Sequence, residues 1–188
     1  MHKSFARLAV VASLTSPMAF AQNALPMYGE ITAARVTLKD TSGDNLGTFH
    51  PRTVRLTLGQ VVSSSMAVEE FAYLSSRSPS MDTIINGVAT NVSKKQNNLY
   101  GIALRPFVNV TQNFELFARL GVARAEIQTT TVSAGQTQTT TWTNNSFHGG
   151  GASYAFNQTV KATVDVSIFS NKNDTKLSNV SLGLRFNF

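Results

Sequence analysis

Residues 179–188 read Asn179, Val180, Ser181, Leu182, Gly183, Leu184, Arg185, Phe186, Asn187 and Phe188. Taken alternately, Val180, Leu182, Leu184, Phe186 and Phe188 form one row, and Ser181, Gly183, Arg185 and Asn187 form the other. A strand sends successive side chains to opposite faces, so this period of two separates an oily face from a polar one; a helix would scatter both. The oily row runs to the last residue and ends on two aromatics, where a soluble domain more often frays into a polar tail.

The same alternation recurs upstream. Residues 160–170 set Val160, Ala162, Val164, Val166 and Ile168 against Lys161, Thr163, Asp165 and Ser167. Residues 114–127 set Phe114, Leu116, Ala118, Leu120 and Val122 against Glu115, Phe117, Arg119, Gly121 and Ala123. In residues 99–107, Tyr100, Ile102 and Leu104 oppose Gly101, Ala103 and Arg105; in residues 52–60, Val54, Leu56 and Leu58 oppose Arg55, Thr57 and Gly59. Residues 146–156 make a glycine-rich strand through Gly149, Gly150 and Gly151. Alternation alone does not fix residues 28–39 and 67–75. The reading adopted places Val36, Leu38, Phe71 and Tyr73 outward, with Arg35, Thr37, Glu70 and Ala72 inward, Tyr28 at the rim with Glu30 close behind, and Glu69 near the rim.

Eight strands result, and the connections between them alternate. Those at residues 40–51, 76–98 and 128–145 are long; those at 61–66, 108–113 and 157–159 are tight, and the final one, 171–176, is short. The two longest are read as exposed loops, the second of them Thr-rich, with β-branched residues able to extend the flanking strands. Strands of about ten residues, tilted near 40°, span roughly the 25 Å of a membrane's apolar band. Aromatics near strand ends, Tyr28, Phe107, Phe114, Phe156, Phe186 and Phe188 at the periplasmic side and Tyr73, Tyr100, Phe147 and Phe169 at the other, are assigned to interfacial girdles.

At the other end of the chain, His2, Lys3 and Arg7 precede a mostly apolar run from Leu8 to Leu14, and Ala19, Phe20 and Ala21 fit a small-x-small cleavage pattern. Residues 1–21 are therefore expected to be an export signal, leaving residues 22–188 as one domain. Ser13, Thr15, Ser16 and Pro17 interrupt the run too early for a membrane anchor. Loss of Lys3 and Arg7 leaves fourteen basic residues against ten acidic ones, lowering the net charge from +6 to +4. That excess is modest and largely directed inward, so no nucleic-acid partner is expected. The chain has no cysteine, which excludes a disulfide-stapled secreted domain. Mean hydropathy is −0.05, as expected where strands average an oily face with a polar one.

Four stretches carry a family resemblance: Tyr28-Gly29-Glu30, Arg55-Leu56-Thr57-Leu58-Gly59, Gly101-Ile102-Ala103-Leu104-Arg105-Pro106-Phe107, and the ending Ser181-Leu182-Gly183-Leu184-Arg185-Phe186-Asn187-Phe188. With these the chain resembles the small "porin family" or opacity-type outer-membrane proteins, which share the OmpA/OmpX-like barrel. The resemblance implies an all-β fold, an eight-stranded antiparallel up-and-down transmembrane β-barrel in the cell outer membrane, with both termini periplasmic and no appended peptidoglycan-binding domain. It also implies that Val180, Leu182, Leu184, Phe186 and Phe188 form a C-terminal signal read by the barrel-assembly machinery, and that outer-membrane lipids and lipopolysaccharide surround the wall.

An outward arginine near the bilayer midplane costs roughly 2 to 4 kcal/mol, so charges belong in the bore. The expected lumen network is Arg35, Arg55, Glu70, Arg105, Glu115, Arg119, Lys161, Asp165 and Arg185. Side chains fill a bore of eight strands, so this set reads as a plug of salt bridges and water; a narrow gated pore is the alternative. A lipid A-modifying enzyme would need a nucleophile, base and acid converging at the rim. His148 with Ser146 or Ser153 is the nearest candidate, without a placed acid. No catalytic residue, cofactor or metal is therefore expected, since there is neither a cysteine nor a histidine cluster. Surface interaction through residues 76–98, with Lys94 and Lys95, and 128–145, with Trp142, is the preferred role.

Overall fold

The computed structural model describes residues 25–40, 48–75, 79–85, 88–132, 136–170 and 175–188. The expected export signal and the loop residues Gly43, Asp44, Asn45 and Gly47 lie outside the described residues. Among the described residues ten strands run in chain order: β1 Met27–Asp40, β2 Thr48–Phe49, β3 Arg52–Ser63, β4 Met66–Ser75, β5 Ser80–Ile85, β6 Val88–Asn109, β7 Phe114–Val132, β8 Gln136–Ala155, β9 Val160–Ser170 and β10 Thr175–Asn187. Eight of them close a barrel in the order β1, β3, β4, β6, β7, β8, β9, β10, with β10 returning to pair with β1. The two others are annexes, β2 on β1 and β5 on β6. All pairings are antiparallel.

Closure leaves the barrel wall without an edge, which hydrocarbon demands because it offers no partner to backbone N–H and C=O groups. The closing ladder runs from Tyr28 opposite Asn187 to Asp40 opposite Thr175. Its lower end is fastened by reciprocal bonds, Met27 N–H to the Phe188 carbonyl at 3.1 Å and Phe188 N–H to the Met27 carbonyl at 2.9 Å. At the tight end, side chains make the turns. Asn157 Oδ1 accepts from the N–H groups of Thr159 and Val160, and Thr111 Oγ1 accepts from those of Asn113 and Phe114.

The outer wall is apolar. Leu56 and Leu58 of β3, Ile102 and Leu104 of β6, Leu116, Leu120 and Val122 of β7, Val164, Val166 and Ile168 of β9 and Val180, Leu182, Leu184 and Phe186 of β10 all face outward. On β3, β7, β9 and β10, and on the part of β6 within the wall, the alternation expected from the sequence is the observed one.

In β1 and β4 the register is the opposite of that expected. Val36 and Leu38 point into the bore and Arg35 points out; Glu69, Phe71 and Tyr73 point in, and Glu70 faces outward, half-buried. The physical reason lies in the outer half of the bore, which is greasy. Ala34, Val36, Leu38, Phe49, Phe71, Tyr73, Val92, Leu99, Ile127, Phe147, Phe169 and Leu177 belong to one buried cluster there. Apolar character therefore did not label the lipid side on these two strands. For the same reason Tyr73, Phe147 and Phe169 belong to this interior layer, and Tyr28 is buried at the opposite end, so none of the four is a girdle residue.

The long connections are also more ordered than expected. Within residues 76–98, β5 and the start of β6 form a hairpin, and within 128–145 β7 and β8 continue almost to the tip.

Candidate functional site: a filled bore beneath an outer β arm

The inner half of the bore is a network to which all eight barrel strands contribute. Arg55 of β3 grips Asp165 of β9 with two bonds, NH1 to Oδ1 at 2.9 Å and NH2 to Oδ2 at 2.6 Å, and reaches Glu30 of β1 at 2.8 Å. Arg119 of β7 lies against three acids, Glu69 of β4 at 2.6 Å, Glu30 at 3.0 Å and Asp165 at 2.9 Å. Nearer the periplasmic mouth, Glu115 of β7 gathers Arg105 of β6, Arg185 of β10 at 3.1 Å and Lys161 of β9 at 3.0 Å. Arg185 also donates to Ser153 of β8 at 3.1 Å. Tyr28 donates to Glu69 at 2.6 Å, and Ser181 donates to Asp165 at 2.6 Å. Rings complete the packing: the guanidinium carbon of Arg105 lies 3.9 Å from the centroid of Phe117, and that of Arg185 lies 4.6 Å from Tyr28.

Of the nine residues expected in the lumen, Arg55, Arg105, Glu115, Arg119, Lys161, Asp165 and Arg185 are brought together in this network. Arg35 and Glu70 are not; both stand on the outer wall. Two acids, Glu30 and Glu69, occupy the network instead. The sequence held a signal for them. Six cations against three acids would leave buried charge uncompensated, at several kcal/mol per ion, whereas the observed five cations meet four acids.

Above this network sits the aromatic layer. Phe71 contacts Tyr73 and Phe147 edge-on at centroid separations of 5.9 and 5.2 Å, and Phe147 stacks on Phe169 at 5.1 Å. The Tyr73 hydroxyl joins the two layers, accepting from Arg55 NH1 at 3.5 Å and from Asn179 Nδ2. At the periplasmic mouth, below the network, a cavity of about 250 Å³ is lined by Tyr28, Arg105, Glu115, Lys161, Arg185 and Asn187, among others.

Beyond the barrel wall the outer ends of β6, β7 and β8, with β5, extend as a four-stranded sheet, the arm. Along Gln136–Ala155, β8 begins to pair with β9 only at Ser146, so its first part is hydrogen-bonded on the β7 side alone. Thr137, Gln138, Thr139, Thr140, Thr141 and Trp142 are exposed there, and the Arg124 guanidinium lies 4.7 Å from the Trp142 ring. Lys94 is not on the surface: it is buried, its Nζ 5.9 Å from the Phe49 ring. The side chain of Lys95 lies outside the described residues.

Among the described residues, the three side chains singled out as a candidate catalytic set are not brought together. His148 and Ser146 face outward, whereas Ser153 faces the bore and is bonded to Arg185. Among the described residues no group of three or more His, Cys, Asp or Glu side chains is placed to hold a metal.

Residues 6–188 match the family model described as the outer membrane protein beta-barrel domain. The chain belongs to this outer-membrane β-barrel family. Its place is accordingly the outer membrane, as an integral barrel. None of the curated proteins is a significant match to the sequence. Among solved structures, the barrel is similar to Ail, the attachment invasion locus protein of Yersinia pestis, with a TM-score of 0.62 and 12% identity over 88% of this chain and all of that one. Neisserial surface protein A gives 0.58 and 14% over 86% of this chain and 97% of that one. The N-terminal barrel of Pseudomonas aeruginosa OprF gives 0.54 and 13% over the same shares. At such identities the likeness is one of fold.

Proposed function

We propose that the barrel is a non-catalytic anchor that holds the β7–β8 arm above the outer leaflet as a contact surface for a partner outside the cell. The observation that carries this reading is the contrast between a bore filled at two levels and an arm whose β8 edge and Thr-rich face are exposed. The edge from Gln136 to Asn145 has no charged residue, and Trp142 supplies a large amphipathic anchor of the kind that dominates binding surfaces. The test is excision of residues 129–140 with a two-residue turn in their place, followed by measurement of cell adhesion and of heat-modifiable gel migration. Adhesion is expected to fall while the migration shift persists; unchanged adhesion on a folded barrel overturns the reading.

A second contact belongs to the wall. Just above the apolar band, Lys39 stands opposite Lys176, and Arg35 lies on the same face of β1, all three exposed. Like charges directly across a ladder repel unless an anion lies between them. The phosphates of lipopolysaccharide are anions at that depth, and Ail, of the same fold, has been solved with the sulfated heparin analogue sucrose octasulfate. Replacing Arg35, Lys39 and Lys176 by Ala is expected to reduce the lipopolysaccharide that copurifies with the barrel. Export by residues 1–21 completes the proposal, and N-terminal sequencing of the membrane form is expected to start at Gln22.

A further inference from the structure

Glu70 occupies a position that the anchoring role does not explain. It points outward from β4, with Leu58 of β3 opposite on one side and Ile102 of β6 opposite on the other. Val68 precedes it and Ala72 follows it on the same face, and Leu56 and Leu104 lie one step diagonally away. Leu56, Leu58, Val68, Ile102 and Leu104 are all exposed to the surroundings of the barrel, so the carboxyl group is set inside the apolar band and not at its margin. It forms no hydrogen bond or ion pair with any described residue. Acyl chains offer it neither donor nor acceptor, and an ionisable group in that position marks a site whose partner has to be supplied from outside the wall.

The partner's chemistry is limited by depth. Two copies inserted in the same direction are related by an axis along the membrane normal, so a residue at the seam meets residues at its own level. The outward cations among the described residues, Arg35, Lys39, Arg52, Arg124 and Lys176, belong to the outer ends of their strands. The outward imidazole of His148 stands on β8, three strands from β4, so what a second copy brings to Glu70 across a two-fold axis at this face is another Glu70. A protonated carboxyl group has one donor and an acceptor oxygen, so two of them are self-complementary. We infer that the β3–β4–β6 wall is the seam of a homodimer in the membrane, closed by the two Glu70 carboxyl groups across a two-fold axis. Ala72, the small residue one step above, lets the two walls approach.

Because the chain has no cysteine, the seam is testable with single thiols. Ala72→Cys, treated with a short bis-thiol cross-linker in native outer membranes, is expected to give a band at twice the monomer mass. Val164→Cys on β9, four strands away around the barrel, is expected to give none. In the Ala72→Cys background, Glu70→Leu is expected to abolish the band, and Glu70→Gln, whose amide also both donates and accepts, to keep it. Heat-modifiable migration of each variant shows that the barrel has folded. Equal cross-linking at Ala72→Cys and Val164→Cys, no doubled band at Ala72→Cys, or a band indifferent to Glu70→Leu overturns the inference.

Discussion

Asp165 receives two bonds from Arg55, one from Ser181 and the close approach of Arg119, and all four side chains are buried in the bore. Removing one partner of such a group strands the others without compensation, at roughly 3 to 5 kcal/mol. Asp165→Ala is accordingly expected to lower the free energy of unfolding, obtained from urea titration in detergent micelles, by that amount, whereas Val164→Ala, one residue away on the lipid face, is expected to change it little. Gly59 offers a second probe. A Cβ there would lie 2.1 Å from the ring of Tyr28, which crosses the glycine to reach Glu69. Gly59→Ala is expected to destabilise by about 1 to 3 kcal/mol through overpacking. Tyr28→Leu in the same background is expected to recover part of that loss, a coupling that a double-mutant cycle measures directly. At this scale the sequence was legible wherever a single charge decided the matter: Arg119 and Asp165 had one affordable side. It was illegible at Glu69 and Glu70, adjacent acids of which only one could enter the bore, and at Arg35, exposed in the outer half of β1, whose long side chain can carry its charge away from an apolar face.

Strands were legible as elements because alternation identifies them whichever face is buried, and the closing strand β10 shows this in its cleanest form. Val180, Leu182, Leu184, Phe186 and Phe188 all lie on the outer wall, along the seam where β10 pairs with β1. If this row is what the barrel-assembly machinery reads, its terminal aromatic contributes to the rate of assembly more than to the stability of the product. Phe188→Ala is then expected to slow conversion to the heat-modifiable form in pulse-chase experiments while leaving the urea midpoint of the assembled barrel nearly unchanged. The extent of the long strands was less legible. Residues 88–98 lack apolar alternation because Lys94 and Gln96 turn inward together with Val92, so the pattern that marks a wall strand is absent there. The threonines of β7 and β8 pair with each other, Thr129 with Thr139 and Thr131 with Thr137. These β-branched pairs stabilise a hairpin without requiring an oily face.

The whole molecule closes its bore twice, with unlike chemistry. The lower layer is ionic and depends on balanced charge; the upper layer depends on rings that stack where Gly121 makes room, its Cβ position lying 2.7 Å from the Phe147 ring. The two layers answer different threats. Rings cannot solvate an ion, and an apolar solute would have to break the ion pairs apart, so each layer is expected to bar what the other would admit. A one-layer plug could be opened by one substitution, whereas two layers are expected to require two. In planar bilayers the pure protein is expected to show no steady conductance. Arg119→Ala, which thins the ionic layer, and Phe147→Ala, which thins the aromatic one, are each expected to remain silent, because the other layer still fills the bore. Arg119→Ala and Phe147→Ala together, in a barrel that retains its heat-modifiable migration, are expected to admit small ions as brief openings. A steady ohmic current through the unaltered protein would show that the two layers move aside together, and the barrel would then be a pore.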